Sequence, residues 1–184
     1  MLKRRAFVDC SALYELMTHP DVFPYVRHKV DSYEEYVFIT KQMIEAEETC
    51  ELISRTIYDE WDNPVGCISL YDIENGAGFL GTWLGKPYHG KGYNVLAKET
   101  FFKEIFFELG IETIFMRIRK KNIRSLKAAE KLPYAIMAND TRRNLYEQLN
   151  QGEEIFDLFE IPKDLYTLHI LRQNDDDDQQ LMEA

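Results

Sequence analysis

The chain reads as a mixed α/β fold in which an antiparallel β-meander gives way to a parallel strand pair. Three observations predict it. Short β-type runs between Glu51 and Leu84 are separated by turn signals. A glycine-containing loop then opens a long helical pattern at about Tyr93. An alternating run starts at Thr113, far enough from Leu84 for a crossover connection. At 184 residues, 45% hydrophobic and 13% aromatic, the chain can bury one core of ordinary size. The expected organisation is a single domain over 1–172. An acidic tail over 173–184, with Asp175 to Asp178 and few apolar residues, is expected to be disordered.

The elements follow in order. Lys3 to Val8 is expected as a short strand, and Asp9 or Ser11 as the cap of a helix to about His19. Ser32 and Glu35 form a capping box, opening a helix to about Glu48 with Tyr36, Ile39, Met43 and Ile44 at helical spacing. Glu51 to Tyr58, Val65 to Asp72 and Gly78 to Leu84 read as strands, the first pair joined by Asp59 to Pro64 and the second by Asn75-Gly76. A helix is expected from about Tyr93 to Leu109. Val95, Phe101, Phe102, Ile105, Phe106 and Leu109 share one face, Phe107 meets a second element, and Gly110 is the stop. Thr113 to Arg119 alternates as a strand, and Asn122 caps a helix over Ile123 to Leu132. Tyr134 to Ala138 is expected as a strand, Asp140 to Leu149 as a helix, and Glu154 to Ile161 and Leu165 to Leu171 as strands.

Composition excludes several classes. No apolar run approaches the roughly 20 residues of a membrane helix. The basic start of the chain has no apolar stretch behind it, so it is not a signal peptide. Cys10, Cys50 and Cys67 show no disulfide or metal spacing, and read as reduced thiols of a cytoplasmic protein with no metal. A net charge of -10 argues against nucleic-acid binding. One island departs from that charge: seven basic residues lie between Arg117 and Lys131, against the single acid Glu130. Such an island fits either a small anionic ligand or a solvated helix face.

The segment Lys86-Pro-Tyr-His89-Gly90-Lys91-Gly92-Tyr93-Asn94 has the makings of a pyrophosphate site. Gly90 and Gly92 remove side chains just before a helix, whose first amides and dipole favour an anion. Gly85-x-x-x-x-Gly90-Lys91 is not a Walker A loop, because Gly92 stands where Ser or Thr should hold magnesium. It is not a dinucleotide fingerprint either, because Val95 replaces the third glycine.

The loop Gly81 to Asn94, together with Asn122-x-x-Ser125 through Leu132, resembles the GNAT superfamily of N-acetyltransferases, in particular its ribosomal-protein N-terminal branch. The resemblance covers about Arg4 to Leu132. His89 stands at the family's Gln or Arg, Gly92 matches, and Asn94 replaces a Gly or Ala. The resemblance implies a GNAT-like acyl-CoA N-acyltransferase fold with its parallel pair splayed around the pantetheine arm. It implies acetyl-CoA as co-substrate, held by Trp83, Leu84, Gly85, His89, Gly90, Lys91, Gly92, Tyr93, Asn94, Asn122, Ser125, Lys127 and Lys131. A backbone N–H near Leu84 or Gly85 would polarise the thioester.

It also implies a primary-amine acceptor, a peptide N-terminus or a small molecule, and a possible homodimer. Relatives carry an acidic Tyr where this chain has Ala129, so that role is vacant or filled by Ser125, Tyr134 or water. Phe79 stands near the family's strand carboxylate, so Asp72 and Glu74 are the candidate bases. Two other readings stand beside the enzyme: a CoA-binding regulatory module without catalysis, and a partner-binding domain using the inserted stretch 140–149.

Overall fold

The computed structural model describes residues 1–182, with side chains as far as residue 174. They form two compact units, Met1–Gly110 and Ile111–Ala184. The fold class is mixed α/β, as expected.

The first unit is a four-stranded antiparallel sheet in the order β1-β2-β3-β4. Its strands are β1 (Leu2–Arg4), β2 (Ile53–Tyr58), β3 (Pro64–Glu74) and β4 (Ala77–Leu84). Strand β2 is buried at every position, as a strand covered on both faces should be. The turn between β3 and β4 forms at Asn75-Gly76 with φ of 51° and 74°, the positive values that this dipeptide tolerates. Helix α1 (Cys10–Met17) and helix α2 (Tyr33–Glu48) pack with Cys67 and Trp83 into one apolar cluster. The Ser32 half of the capping box forms, its Oγ accepting from the Glu35 N–H at 3.1 Å, while Glu35 reaches one residue further back and accepts from the Asp31 N–H at 2.7 Å.

Helix α3 (Tyr93–Lys103) continues as a π-helical turn over Glu104–Glu108. The buried face is narrower than expected. Phe101, Phe102, Ile105 and Phe106 are fully buried, each contributing about 1.5–3 kcal/mol by burial. Val95 and Leu109, assigned to the same face, are 58% and 45% exposed, and Phe107 is 51% exposed. The Leu109 N–H donates to the Glu104 carbonyl, one residue further back than an α-helix allows. This extra residue rotates the end of the helix away from the α-helical wheel.

Between α2, β2 and the π turn, Arg55 is nearly buried and paired with both Glu47 (2.6 Å) and Glu104. This chelated guanidinium ties helix to sheet in the first unit.

The second unit is an antiparallel sheet in the order β5-β7-β6, with β5 (Thr113–Arg119), β6 (Ile136–Met137) and β7 (Phe156–Pro162). Helix α4 (Ile123–Glu130) follows β5, and helix α5 (Arg143–Asn150) precedes β7, inside the stretch read as an insertion. The Asn150 side chain closes the loop after α5, accepting from the Ile155 and Phe156 N–H groups at 2.7 Å each.

The expected last strand, Leu165 to Leu171, is instead part of helix α6 (Lys163–Met182). Tyr166 is fully buried, Leu165, His169 and Ile170 are half-buried, and Leu168 and Leu171 are exposed. That is a helical spacing rather than an alternation. Helix α6 also runs on through the acidic stretch expected to be a disordered tail; residues 183 and 184 lie outside the described residues.

Candidate active site

The end of β4 and the start of α3 are joined by Gly85 to Gly92. A single 3-10 turn, Lys86–Tyr88, is stapled from outside by the Lys86–Asp21 ion pair at 2.5 Å. The Lys86 ammonium holds the Asp21 carboxyl below its ordinary range. Gly90 and Gly92 follow with φ of +75° and +88°, a conformation that glycine adopts without strain. A Cβ at either position would meet no atom within 4 Å, so the loop is open on the side where those hydrogens point.

Backbone accounting sets this loop apart. Among the described residues, the N–H groups of Gly90, Lys91, Gly92, Tyr93 and Asn94 donate to no backbone carbonyl or side chain. The chain turns over at Val95 and Leu96, whose N–H groups reach the Gly92 carbonyl at 3.0 and 3.2 Å. Five successive unspent donors at the positive end of a helix are an arrangement that favours an anion. Lys91 adds a cation beside them; its Nζ lies 5.8 Å from the Tyr88 ring centroid. The Tyr88 and Tyr93 rings meet edge to face at 5.8 Å. The Tyr93 hydroxyl donates to Glu60, which pushes it up to about 12. Asn94 is exposed in the first turn.

Two residues of the loop, His89 and Gly85, and the two that end β4, Trp83 and Leu84, have contacts within the protein. His89 Nε2 lies 2.9 Å from the Leu84 carbonyl. A carbonyl only accepts, so Nε2 carries the proton and braces the loop against the strand end. The Gly85 N–H donates to the Val65 carbonyl at 2.8 Å, so it is not a spare donor for a thioester carbonyl. A Cβ on Gly85 would stand 2.6 Å from Leu16 Cδ2, which makes this glycine a packing requirement. Trp83, opposite Cys67 in the sheet, packs against the apolar cluster of α1 and α2, while Leu84 is buried.

The candidate bases separate. Asp72, at φ +53°, is clamped by Arg27 at 2.6 and 2.8 Å. Glu74 is exposed and sits opposite Ala77 beside the hairpin turn, seven residues along β4 from Leu84. At strand rise this is about 20 Å from the loop, so the structure does not bring Glu74 to it.

In the second unit, Asn122 caps α4 as expected, its Oδ1 accepting from the Ser125 N–H at 3.3 Å. Ser125 is half-buried in the first turn, and Lys127 and Lys131 are exposed. Tyr134 is a core residue, 5% exposed, with its ring 5.1 Å from both Tyr166 and His169. Ala129 is fully buried.

Sequence reasoning missed a second feature of the first unit: a cavity lined by Arg5, Arg27, His28, Tyr36, Tyr71 and Trp83, among others. Only Trp83 carried a signal, through its place before the loop. Among the described residues, no group of three metal-ligating side chains is present, and no helix is long and apolar enough to cross a membrane.

Comparison with known proteins bears on these features. Residues 2–134 match the family model of the acetyltransferase (GNAT) domain. No curated protein matches the chain in sequence. Solved structures match its fold. One is an apo form of FdhC, described as a nucleotide-linked sugar GNAT, at TM-score 0.75 and 16% identity, covering 94% of this chain and 92% of that one. The RimL ribosomal L7/L12 alpha-N-protein acetyltransferase matches at TM-score 0.70 and 17% identity, covering 86% of each chain. A spermidine N-acetyltransferase SpeG mutant from Vibrio cholerae matches at 0.66 and 13%, covering 90% of this chain and 96% of that one.

Proposed function

We infer the function from one premise, that the chain belongs to the GNAT acetyltransferase family. We propose that it transfers an acetyl group from acetyl-CoA to a primary amine on a peptide N-terminus or a small molecule. The observation that carries this is the run of five unspent N–H groups at Gly90 to Asn94, ahead of α3. They would hold the pyrophosphate, with Lys91 beside them and no side chain of Gly90 or Gly92 in the way. Lys127 and Lys131 carry no ion pair among the described residues, and are proposed for the remaining phosphate charge.

Acetyl-CoA supplies the acyl group as a thioester: the amine nitrogen bonds to the carbonyl carbon, the C–S bond breaks, and the thiolate takes a proton. Ser125 is the side chain proposed to provide that proton, with Asn122 proposed to hold the pantetheine amide. Tyr134 is a weaker candidate because its ring is packed in the interior. Asp72 is proposed to act on the ammonium through water. A cytoplasmic setting is part of the proposal, supported by three free thiols.

Calorimetry with acetyl-CoA tests the reading. Absence of heat, with no thermal shift at millimolar ligand, refutes it. One observation favours a second reading, a CoA-binding regulator without catalysis: Ala129 fills the acid position while Glu74 stands at the far end of its hairpin. Binding without transfer across a broad amine and peptide panel would identify that regulator.

A further inference from the structure

On the sheet face that carries Cys67 and Trp83, a partly open cavity of about 40 Å³ lies between the strands and the helices α1 and α2. One wall is Arg5, only 8% exposed. Its Nη2 donates to the Tyr36 hydroxyl at 3.1 Å and the Thr40 hydroxyl at 3.0 Å, and its Nη1 contacts the Cys67 sulfur. Its Nε has no partner at all. No carboxylate pairs with this guanidinium among the described residues.

The groups that Arg5 bonds to, Cys67, Tyr36 and Thr40, are neutral at pH 7. Burial pushes the Cys67 thiol up to about 11 and raises the Tyr36 phenol as well. An arginine remains charged throughout this range. Arg5 is therefore a buried, uncompensated cation, a state that costs stability unless an anion completes it. The other arginine on this cavity, Arg27, already has its counter-charge in Asp72 and lies over the Tyr71 ring at 4.4 Å. The free space corresponds to about three water-sized positions, the number of heavy atoms in a carboxylate group. The Thr40 and Tyr36 hydroxyls, both accepting from Arg5, keep their own protons to donate to such a group.

We propose that Arg5 is a specificity-determining residue that binds a carboxylate of the acceptor, so that the acetylated amine belongs to an amino acid or an acidic peptide rather than to a polyamine. A polyamine would place further positive charge beside one already unpaired. Calling the ligand the acceptor rests on the acetyl-transfer reading; the carboxylate site itself does not.

The chain has two tryptophans, and Trp61 is 73% exposed, so Trp61→Phe leaves Trp83 in the cavity wall as the sole indole reporter. This variant is titrated without acetyl-CoA against L-glutamate, the peptide Glu-Ala-Ala amide, and spermidine. A saturable change in Trp83 fluorescence with glutamate assigns a free amino acid, and one with the peptide alone assigns a peptide N-terminus. Arg5→Met should abolish either response. If circular dichroism shows Arg5→Met unfolded, Arg5→Lys decides: it keeps the charge, loses the planar fork, and should weaken binding about tenfold. No response to either carboxylate, tighter binding of spermidine, or unchanged affinity in the Arg5 variant overturns the proposal. Loss of acetyl-CoA binding would instead overturn the functional reading, while the titration still decides the carboxylate site.

Discussion

Gly92 separates a structural turn from a ligand site, because two substitutions there share one backbone cost and differ in charge. Its φ of +88° lies in the left-handed region, and a Cβ built on it meets nothing within 4 Å. Gly92→Ala therefore brings no clash with the protein, only the left-handed penalty of about 1–2 kcal/mol for an L-residue. For a chain of this size each kcal/mol lowers Tm by about 2–4 °C, so the melt should fall by roughly 2–8 °C. Gly92→Glu carries the same backbone penalty and should melt within a degree or two of the alanine variant. The two part company on ligand. A carboxylate about 4 Å from a phosphate charge costs about 4 kcal/mol at an effective dielectric near 20. That corresponds to about a thousandfold in Kd. Calorimetry with CoA on both variants, with melts run alongside, measures each effect separately. If Gly92→Glu binds CoA as tightly as Gly92→Ala does, the glycine serves only the turn and the five N–H groups are not a pyrophosphate site.

Three further outcomes are expected. Arg55→Ala leaves Glu47 and Glu104 facing each other at 16% and 23% side-chain exposure, and should cost about 3 kcal/mol in urea unfolding; a loss below about 1 kcal/mol would show the pair to be surface-like. His28 is held below its ordinary 6.5, first by burial and then by the Arg27 charge. The unfolded chain then binds more protons below pH 6.5. Its contribution is therefore full above 6.5 and is lost as the pH falls through the lowered folded value. Melts of wild type and His28→Asn should converge as the pH drops through that window, and parallel curves would contradict the assignment. Ser125→Ala should lower kcat about a hundredfold with little change in CoA affinity, as loss of a general acid does; an unchanged kcat moves the role elsewhere.

What was legible in the sequence is what local chemistry decides. Ser32 and Glu35 sit three residues apart and make their own cap; Asn75-Gly76 makes its own turn; Asn122 caps the helix that it precedes. Gly90 and Gly92 announce a loop whose amides stay unspent. Failures came where a distant partner decides. The run Leu165 to Leu171 is rich in residues that favour strands, yet α6 forms because Tyr166 docks on Tyr134 at 5.1 Å and Thr167 can bond back to the Lys163 carbonyl at 2.8 Å. Leu109 was misplaced because the π turn before it is invisible to a helical wheel.

Arg5 is the extreme case. In the sequence it is the last of three basic residues near the start of the chain, and such a cluster ordinarily reads as solvated. Its burial is made by Tyr36, Thr40 and Cys67, which lie 31, 35 and 62 residues away. The lysines of the island between Arg117 and Lys131 attracted attention because they are many, but an exposed lysine costs nothing to leave to water. A guanidinium folded into an apolar cluster with a bare Nε loses solvation that an anion can return. Charge that is cheap to keep says little about ligands; charge that is costly to keep without a partner points to what the pocket is for.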